Sequence, residues 1–287
     1  MPASKLSTTT ACFALGSMLL LSCTGNPVGD SEISNPSLQI SGQVQLESGL
    51  NRGGVFVWLD GFEIGARTDN DGNFQITLPP TSVQSAAGGV DGAFNLYYYL
   101  ANFRLVTTQV FTKNGRLIVP NGELDDQGSL RQAKFLARFL KIVTIVQPAS
   151  FEANIGADLH LQVVLQAVRP QDSIRVFYPK RLNGFDNPLL FRNLETGEVT
   201  MLEASTSDTV NTDFMIVSST PTIRELFLNL KSGRLSAGRY EVVPYMLVRH
   251  EAVPSGLIAD LGDEVEVLGP NYLLVPFRRE GGAIEVR

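Results

Sequence analysis

From Leu38 onward the chain is a succession of short apolar runs, each closed by glycine, proline, asparagine or aspartate. Leu38 to Leu46 alternates apolar and polar residues with the period of two that puts one face of a strand in a core. Val55-Phe56-Val57-Trp58-Leu59 follows and is closed by Asp60-Gly61. Ile64 to Thr68 leads into Asp69-Asn70-Asp71-Gly72, a strong tight-turn signal, and then into Asn73 to Leu78. Pro79-Pro80 stops that strand, because proline supplies no amide to a ladder. Phe94 to Thr112 holds two further β-rich runs, and Lys113-Asn114-Gly115-Arg116 turns the chain into Leu117-Ile118-Val119.

The second half repeats the pattern. Leu159–Val168, Ser173–Tyr178, Leu189–Arg192, Glu198–Leu202, Asp213–Val217, Arg224–Leu230, Gly238–Val248 and Asn271–Phe277 all read as strands. Turn signals such as Arg169-Pro170-Gln171-Asp172 and Glu195-Thr196-Gly197 divide them. Many short strands with regular turns predict an immunoglobulin-like sandwich, although the Cys…Trp…Cys signature of antibody domains is absent. One stretch stays ambiguous. Within Gln127 to Val143, Leu130, Ala133, Ala137 and Leu140 fit helical spacing, and no proline or glycine interrupts after Ser129, so a short helix is favoured over a strand. Ile142 to Val146 then reads as a strand.

The amino terminus has a different character. Lys5 precedes an apolar and small-residue run from Ala11 to Leu21, too short to span a bilayer as a permanent helix. Its ending, Leu20-Leu21-Ser22-Cys23, resembles the lipobox of bacterial lipoproteins. The resemblance implies a signal at residues 1–22 cut before Cys23, a diacylglyceryl group on that thiol, and attachment to a membrane. The alternative is an ordinary secretory signal cut near Ser22. Residues 23–36 are rich in Gly, Asn, Pro and Ser and carry no aromatic, which makes a flexible tether. Thr24 stands where lipoproteins retained at the inner membrane carry Asp, which points to an outer membrane.

Cys12 and Cys23 are the only cysteines. With one removed and the other acylated, the folded body has no thiol, and its cores must hold without a disulfide. An apolar content of 44% suffices for that. The net charge of −6 lacks long like-charged runs and excludes nucleic acid as a partner class.

Gly42-Gln43-Val44, Gly54-Val55-Phe56-Val57-Trp58-Leu59 and Thr68-Asp69-Asn70-Asp71-Gly72-Asn73-Phe74 together resemble a carboxypeptidase regulatory-like domain of the transthyretin-like type. The resemblance covers about Ser37 to Thr81 well. It implies a small antiparallel β-sandwich and no particular chemistry. The expected organisation is therefore all-β: a transthyretin-like sandwich over 37–141 and an immunoglobulin-like sandwich over 142–287, with the short helix between them.

Few residues invite a chemical role. Asp69-Asn70-Asp71-Gly72 opens like a calcium loop, but the twelfth position is Pro80 rather than a bidentate Glu, and a plain turn is expected. His160 and His250 are the whole histidine supply, and neither lies in a nucleophile or zinc motif. His160 falls on the strand face opposite Leu159, Leu161 and Val163, so it is expected to be exposed. Glycine doublets and paired acids such as Asp125-Asp126 lie outside phosphate-binding patterns. No catalytic residue, metal or cofactor is expected. The one candidate binding feature is aromatic: in a strand, Tyr97 and Tyr99 share the face opposite Leu96, Tyr98 and Leu100, and would form an exposed tyrosine ridge. Cross-strand packing or a cover from the second domain is the alternative. The sequence thus leads to a membrane-anchored envelope lipoprotein without enzymatic activity, serving a structural or protein-binding role. A glycan-binding surface protein is the alternative.

Overall fold

The alternation after Leu38 becomes strand β1 (Gln39–Gln45), with Ile40 and Val44 fully buried on its inner side. The computed structural model describes residues 38–119, 122–207, 213–249 and 252–287. Cys23, the expected leader and tether over residues 1–36, and His250 lie outside them. The chain continues through β2 (Phe56–Leu59), β3 (Ile64–Arg67), β4 (Asn73–Thr77), the single-turn helix α1 (Thr81–Gln84), β5 (Gly92–Tyr99), β6 (Val106–Lys113), β7 (Arg116–Ile118) and β8 (Lys134–Phe135). Two sheets result, one of order β3-β2-β5-β6-β7 and one of order β4-β1-β8. Ile40, Val44, Phe74 and Ile76 of the smaller sheet meet Val57, Leu59, Leu96 and Tyr98 of the larger in one core. The turn into β4 is set locally. Asp69 Oδ1 accepts the amides of Asp71 and Asn73 at 3.0 and 2.8 Å. Gly72 has φ +86°, and a Cβ there would lie 2.2 Å from the Val44 carbonyl oxygen.

The second half runs through β9 (Leu140–Gln147), β10 (Ser150–Phe151), β11 (Gly156–Ala167), β12 (Ile174–Phe177), the hairpin β13 (Arg181–Leu182) and β14 (Phe185–Asp186), β15 (Leu189–Asn193), β16 (Val199–Leu202), β17 (Ser205–Thr206) and β18 (Phe214–Val217). It closes with β19 (Thr222–Lys231), β20 (Gly238–Pro244), β21 (Leu247–Val248), helix α2 (Ser255–Leu261), a 3-10 helix (Pro270–Leu274), β22 (Glu280–Gly281) and β23 (Ala283–Val286). Sheets of order β17-β19-β11-β9-β22 and β10-β23-β20-β15-β16 carry the core, with a third, β18-β12-β21, beside them. Leu161, Val163 and Leu226 of the first pack into the same core as Phe191, Val242 and Ile284 of the second. The molecule is thus an all-β assembly of sandwiches, as the turn spacing anticipates.

Two expectations are corrected. Gln127 to Val143 is not helical. Its amides bond to distant backbone instead: Leu130 N–H to Ser41 O at 2.8 Å, and Leu136 N–H to Gln45 O at 3.0 Å. From Leu140 the residues alternate inward in β9, which pairs antiparallel with β11. Long-range strand partners satisfy these amides while burying Leu136 and Leu140 on the side that β1 and β11 offer, which outweighs a weak local helical preference. Asn271 to Phe277 is likewise no strand. Pro270 sits at the first position of the 3-10 helix, where its missing N–H costs nothing, and Pro276 supplies no amide for a ladder.

Strand β2 and the end of β5 are buried on both faces. Val57, Leu59, Leu96 and Tyr98 point into their own sandwich, while Phe56, Trp58 and Tyr99 belong to the core of the second half. The cover comes from α2 and the 3-10 helix. Gly256 of α2 lies so near Trp58 that an added Cβ would stand 3.1 Å from the indole. Arg67 Nη2 donates to Leu274 O at 2.6 Å and Ala101 N–H to Pro276 O at 2.7 Å. Arg138 reaches Glu47 Oε2 at 3.1 Å and Glu280 Oε1 at 2.6 Å, tying the two halves by charge. Asn102, fully buried, is the polar knot. Its Nδ2 donates to Leu140 O (3.0 Å) and Arg278 O (2.9 Å), and its Oδ1 accepts Arg278 N–H at 3.0 Å. By contacts, Asn35–Arg287 forms one unit.

Asn102→Ala removes a fully buried amide that serves three backbone groups, and we expect it to destabilise the protein by about 2–4 kcal/mol. Urea unfolding followed by Trp58 fluorescence and by far-ultraviolet circular dichroism should give coincident transitions in both proteins, since Trp58 lies where the halves meet. Separate transitions in the wild type would show that the halves unfold independently.

A candidate site where the sandwiches meet

The residues singled out in the sequence do not converge. His160 lies on the outer face of β11 as expected, half-buried rather than fully open. Its ring stacks on Phe227 at 4.8 Å and 5°, with Nε2 3.7 Å from Glu225 Oε2. Asp158 and Ser205 line the same shallow depression as His160. Ser205 Oγ, however, donates to Phe227 O at 3.1 Å, Phe227 lies between Ser205 and His160 in the strand register, and Asp158 Oδ1 accepts from Asn229 at 2.6 Å. Each group of that trio is engaged with a neighbour other than the two it would need for nucleophilic catalysis. Cys23 and His250 lie outside the described residues.

The tyrosine ridge is a correction. Leu96, Tyr98 and Leu100 are core residues as reasoned, and Tyr97 and Tyr99 do share the opposite face. That face is not open. Tyr99 is only 4% exposed, and Tyr97 is half-buried with its ring 5.9 Å from that of Trp58. The cover from the second half has taken the surface a glycan would need. Burial pushes the Tyr99 hydroxyl well above the usual tyrosine range, and the nearby Glu266 carboxylate adds to the rise.

What the cover leaves open is a cleft at its edge. Tyr99, Phe177 from β12, Phe214 from β18, Val248 from β21, and Val253 and Ile258 from the segment containing α2 line an apolar depression of about 570 Å³. Arg249, Ser255 and Glu266 supply its polar rim. Arg249 also lines a second depression of about 820 Å³, together with Arg104, Arg175, Ser173 and the apolar Phe139 and Ile174. Arg104 is held by both oxygens of Asp172, at 2.7 and 2.8 Å. The Arg175 guanidinium lies 4.2 Å over the Phe214 ring, on the wall between the two depressions. An apolar aromatic pocket therefore opens beside an arginine-lined one.

None of these arginines was singled out by sequence reasoning. Arg104, Arg175 and Arg249 are scattered along the chain, and no local motif marks any of them. Pairing of β12 with β21 brings Arg175 beside Arg249, and the ion pair with Asp172 brings Arg104 to the same depression. Phe177 and Phe214 meet through the pairing of β12 with β18, which sets them directly opposite each other with rings 5.1 Å apart.

No family model and no curated protein matches the chain. Among solved structures it is similar to a variant of the major pilin subunit of Bacillus cereus, with 9% identity over 73% of this chain and 68% of the other, at a TM-score of 0.27.

The covered ridge has a measurable signature. Tyr98, Tyr99 and Tyr245 all have hydroxyls raised mainly by burial, so an absorbance titration should show a class of tyrosines ionising well above pH 10. Because their folded pKa values exceed the unfolded ones, their contribution to stability is whole below about pH 10 and is lost as pH rises toward the folded values. Tyr99→Phe should remove one member of the late class and shift alkaline unfolding upward. Normal titration of Tyr99 would mean that the ridge is open after all.

Proposed function

We propose that this chain is a lipid-anchored β-sandwich protein of the bacterial cell envelope, with a binding or spacer role rather than an enzymatic one. The observation that carries the reading is Leu20-Leu21-Ser22-Cys23 after a short apolar run, followed by a glycine-, asparagine- and proline-rich tether. Thr24 after the cysteine favours the outer membrane as the destination. The first sandwich is read as a carboxypeptidase regulatory-like module. Support for that comes from Gly72 and Asp69, which set the hairpin turn, and from Phe74, the first core residue after it. A module of this kind presents surfaces and holds spacing, and its partner is another envelope component reached while the lipid holds the chain at the membrane.

The absence of a catalytic role is supported by how the reactive groups are used. His160 is stacked on Phe227, and the Ser205 hydroxyl is bound to backbone. Substrate chemistry needs such groups to face one another across a cleft.

Intact mass of the membrane-purified protein, with Cys23→Ser beside it, tests the anchor. We expect a chain that starts at Cys23 and carries a diacylglyceryl group with a further acyl chain. Cys23→Ser should lose the lipid and leave the membrane fraction. An unlipidated wild type that fractionates like Cys23→Ser would overturn the localisation.

A further inference from the structure

We propose that the cleft at the edge of α2 binds an amphiphilic monoanion, its apolar body against Tyr99, Phe177 and Phe214 and its anionic head at Arg249 and Arg175. The proposal deepens the reading of this chain as a binding protein and names the chemistry of what it binds.

Three observations carry it. The first is charge. In a chain of net charge −6, three guanidinium groups line one depression. Arg104 has Asp172 as its counterion, whereas among the described residues neither Arg175 nor Arg249 is paired with a carboxylate. Like charges gathered without counterions raise the free energy of the empty cleft, and an anion relieves it. Arginine is also the side chain whose forked donors fit a carboxylate or phosphate best.

The second is the apolar half. Phe214 is 44% exposed and Ile216 of the same strand 61%, which is unusual for large apolar side chains on a strand that also packs against a core. A depression of about 570 Å³, mostly apolar with a few polar groups at its edge, is the usual form of a small-molecule site. Arg175 stacked on Phe214 puts the cationic group at the lip of that pocket, so head and body sites are contiguous and their spacing is fixed.

The third is Glu266, which shares the polar rim of the apolar depression with Arg249 and has no salt bridge among the described residues. A second anionic group held on this rim would be repelled by the carboxylate. The cleft therefore favours a ligand with a single anionic group over one with two.

The test is calorimetric titration of the full chain in nanodiscs, with empty nanodiscs as the blank and Trp58, packed against α2, as a fluorescence reporter. The probe is 4-phenylbutyrate, compared with 4-phenylbutanol, inorganic phosphate and phenylene-1,4-diacetate. We expect 4-phenylbutyrate to bind, and the neutral alcohol, bare phosphate and diacid each to bind about tenfold more weakly. Arg249→Ala and Phe214→Ala should each weaken the acid about tenfold, with Arg249→Lys recovering part of the loss. Urea midpoints of the variants, equal to that of the wild type, separate lost binding from lost folding. Equal binding of acid and alcohol, no effect of either substitution, or no binding by the folded wild type would each overturn the proposal. Running the titration on Cys23→Ser as well keeps the two readings apart. An unlipidated wild type that binds the acid sinks only the anchor, and a lipidated wild type that ignores the acid sinks only the ligand class.

Discussion

Everything in this molecule turns on a sheet that has no wet face along β2 and the end of β5. A β-sandwich ordinarily buries one side of each sheet and leaves the other to water. Here β2 and β5 bury Val57, Leu59, Leu96 and Tyr98 on one side and Phe56, Trp58 and Tyr99 on the other. Truncating a buried aromatic of this size typically costs about 3–5 kcal/mol, whereas an exposed ion pair such as Arg104–Asp172 contributes about 0–1 kcal/mol. Apolar cover, more than charge, holds the two halves together. The tie is strong enough to accept a Trp58 indole N–H with no hydrogen-bond partner among the described residues.

The cover also explains the polar knot at Asn102. Leu140 begins β9 and Arg278 lies in the segment before β22, and their backbone groups meet at the fully buried Asn102. One amide side chain has both the donors and the acceptor to satisfy three of them at once. An aliphatic residue of similar volume would fill the space and leave those groups orphaned. Arg138 lies between Glu47 and Glu280, so an ion pair shared by the two halves sits close to their common core.

Cover of this kind ends somewhere, and its edge is where recognition becomes feasible. The segment that leaves β21 passes through Arg249, Val253 and α2 before it seals over Trp58. The cleft it leaves is bounded by rigid strands on one side and a short helix on the other, which holds Phe177, Phe214 and Arg175 in fixed relation. A site built this way needs no catalytic group to be selective. Shape and a single net charge suffice.

The sequence by itself determined the fold class and the turn geometry. Period-two alternation, Asp-Gly turns and proline stops are local signals, because strand faces and tight turns are fixed by residues a few positions apart. The unbroken run Val55–Leu59 carried a further hint, since a strand buried on both faces has no reason to alternate. What surrounds Tyr99 was not legible in this way. Period two shows that Tyr97 and Tyr99 share a face, but whether water or another segment meets it depends on residues more than 150 positions away. The same holds for Gln127–Val143, whose helical spacing lost to the backbone of β1 and β11. The cleft is wholly a product of tertiary structure, for Arg104, Arg175 and Arg249 become neighbours only after strands pair. Contacts within a turn are written in adjacent residues, while contacts between layers are decided by which apolar surfaces find each other when the chain closes.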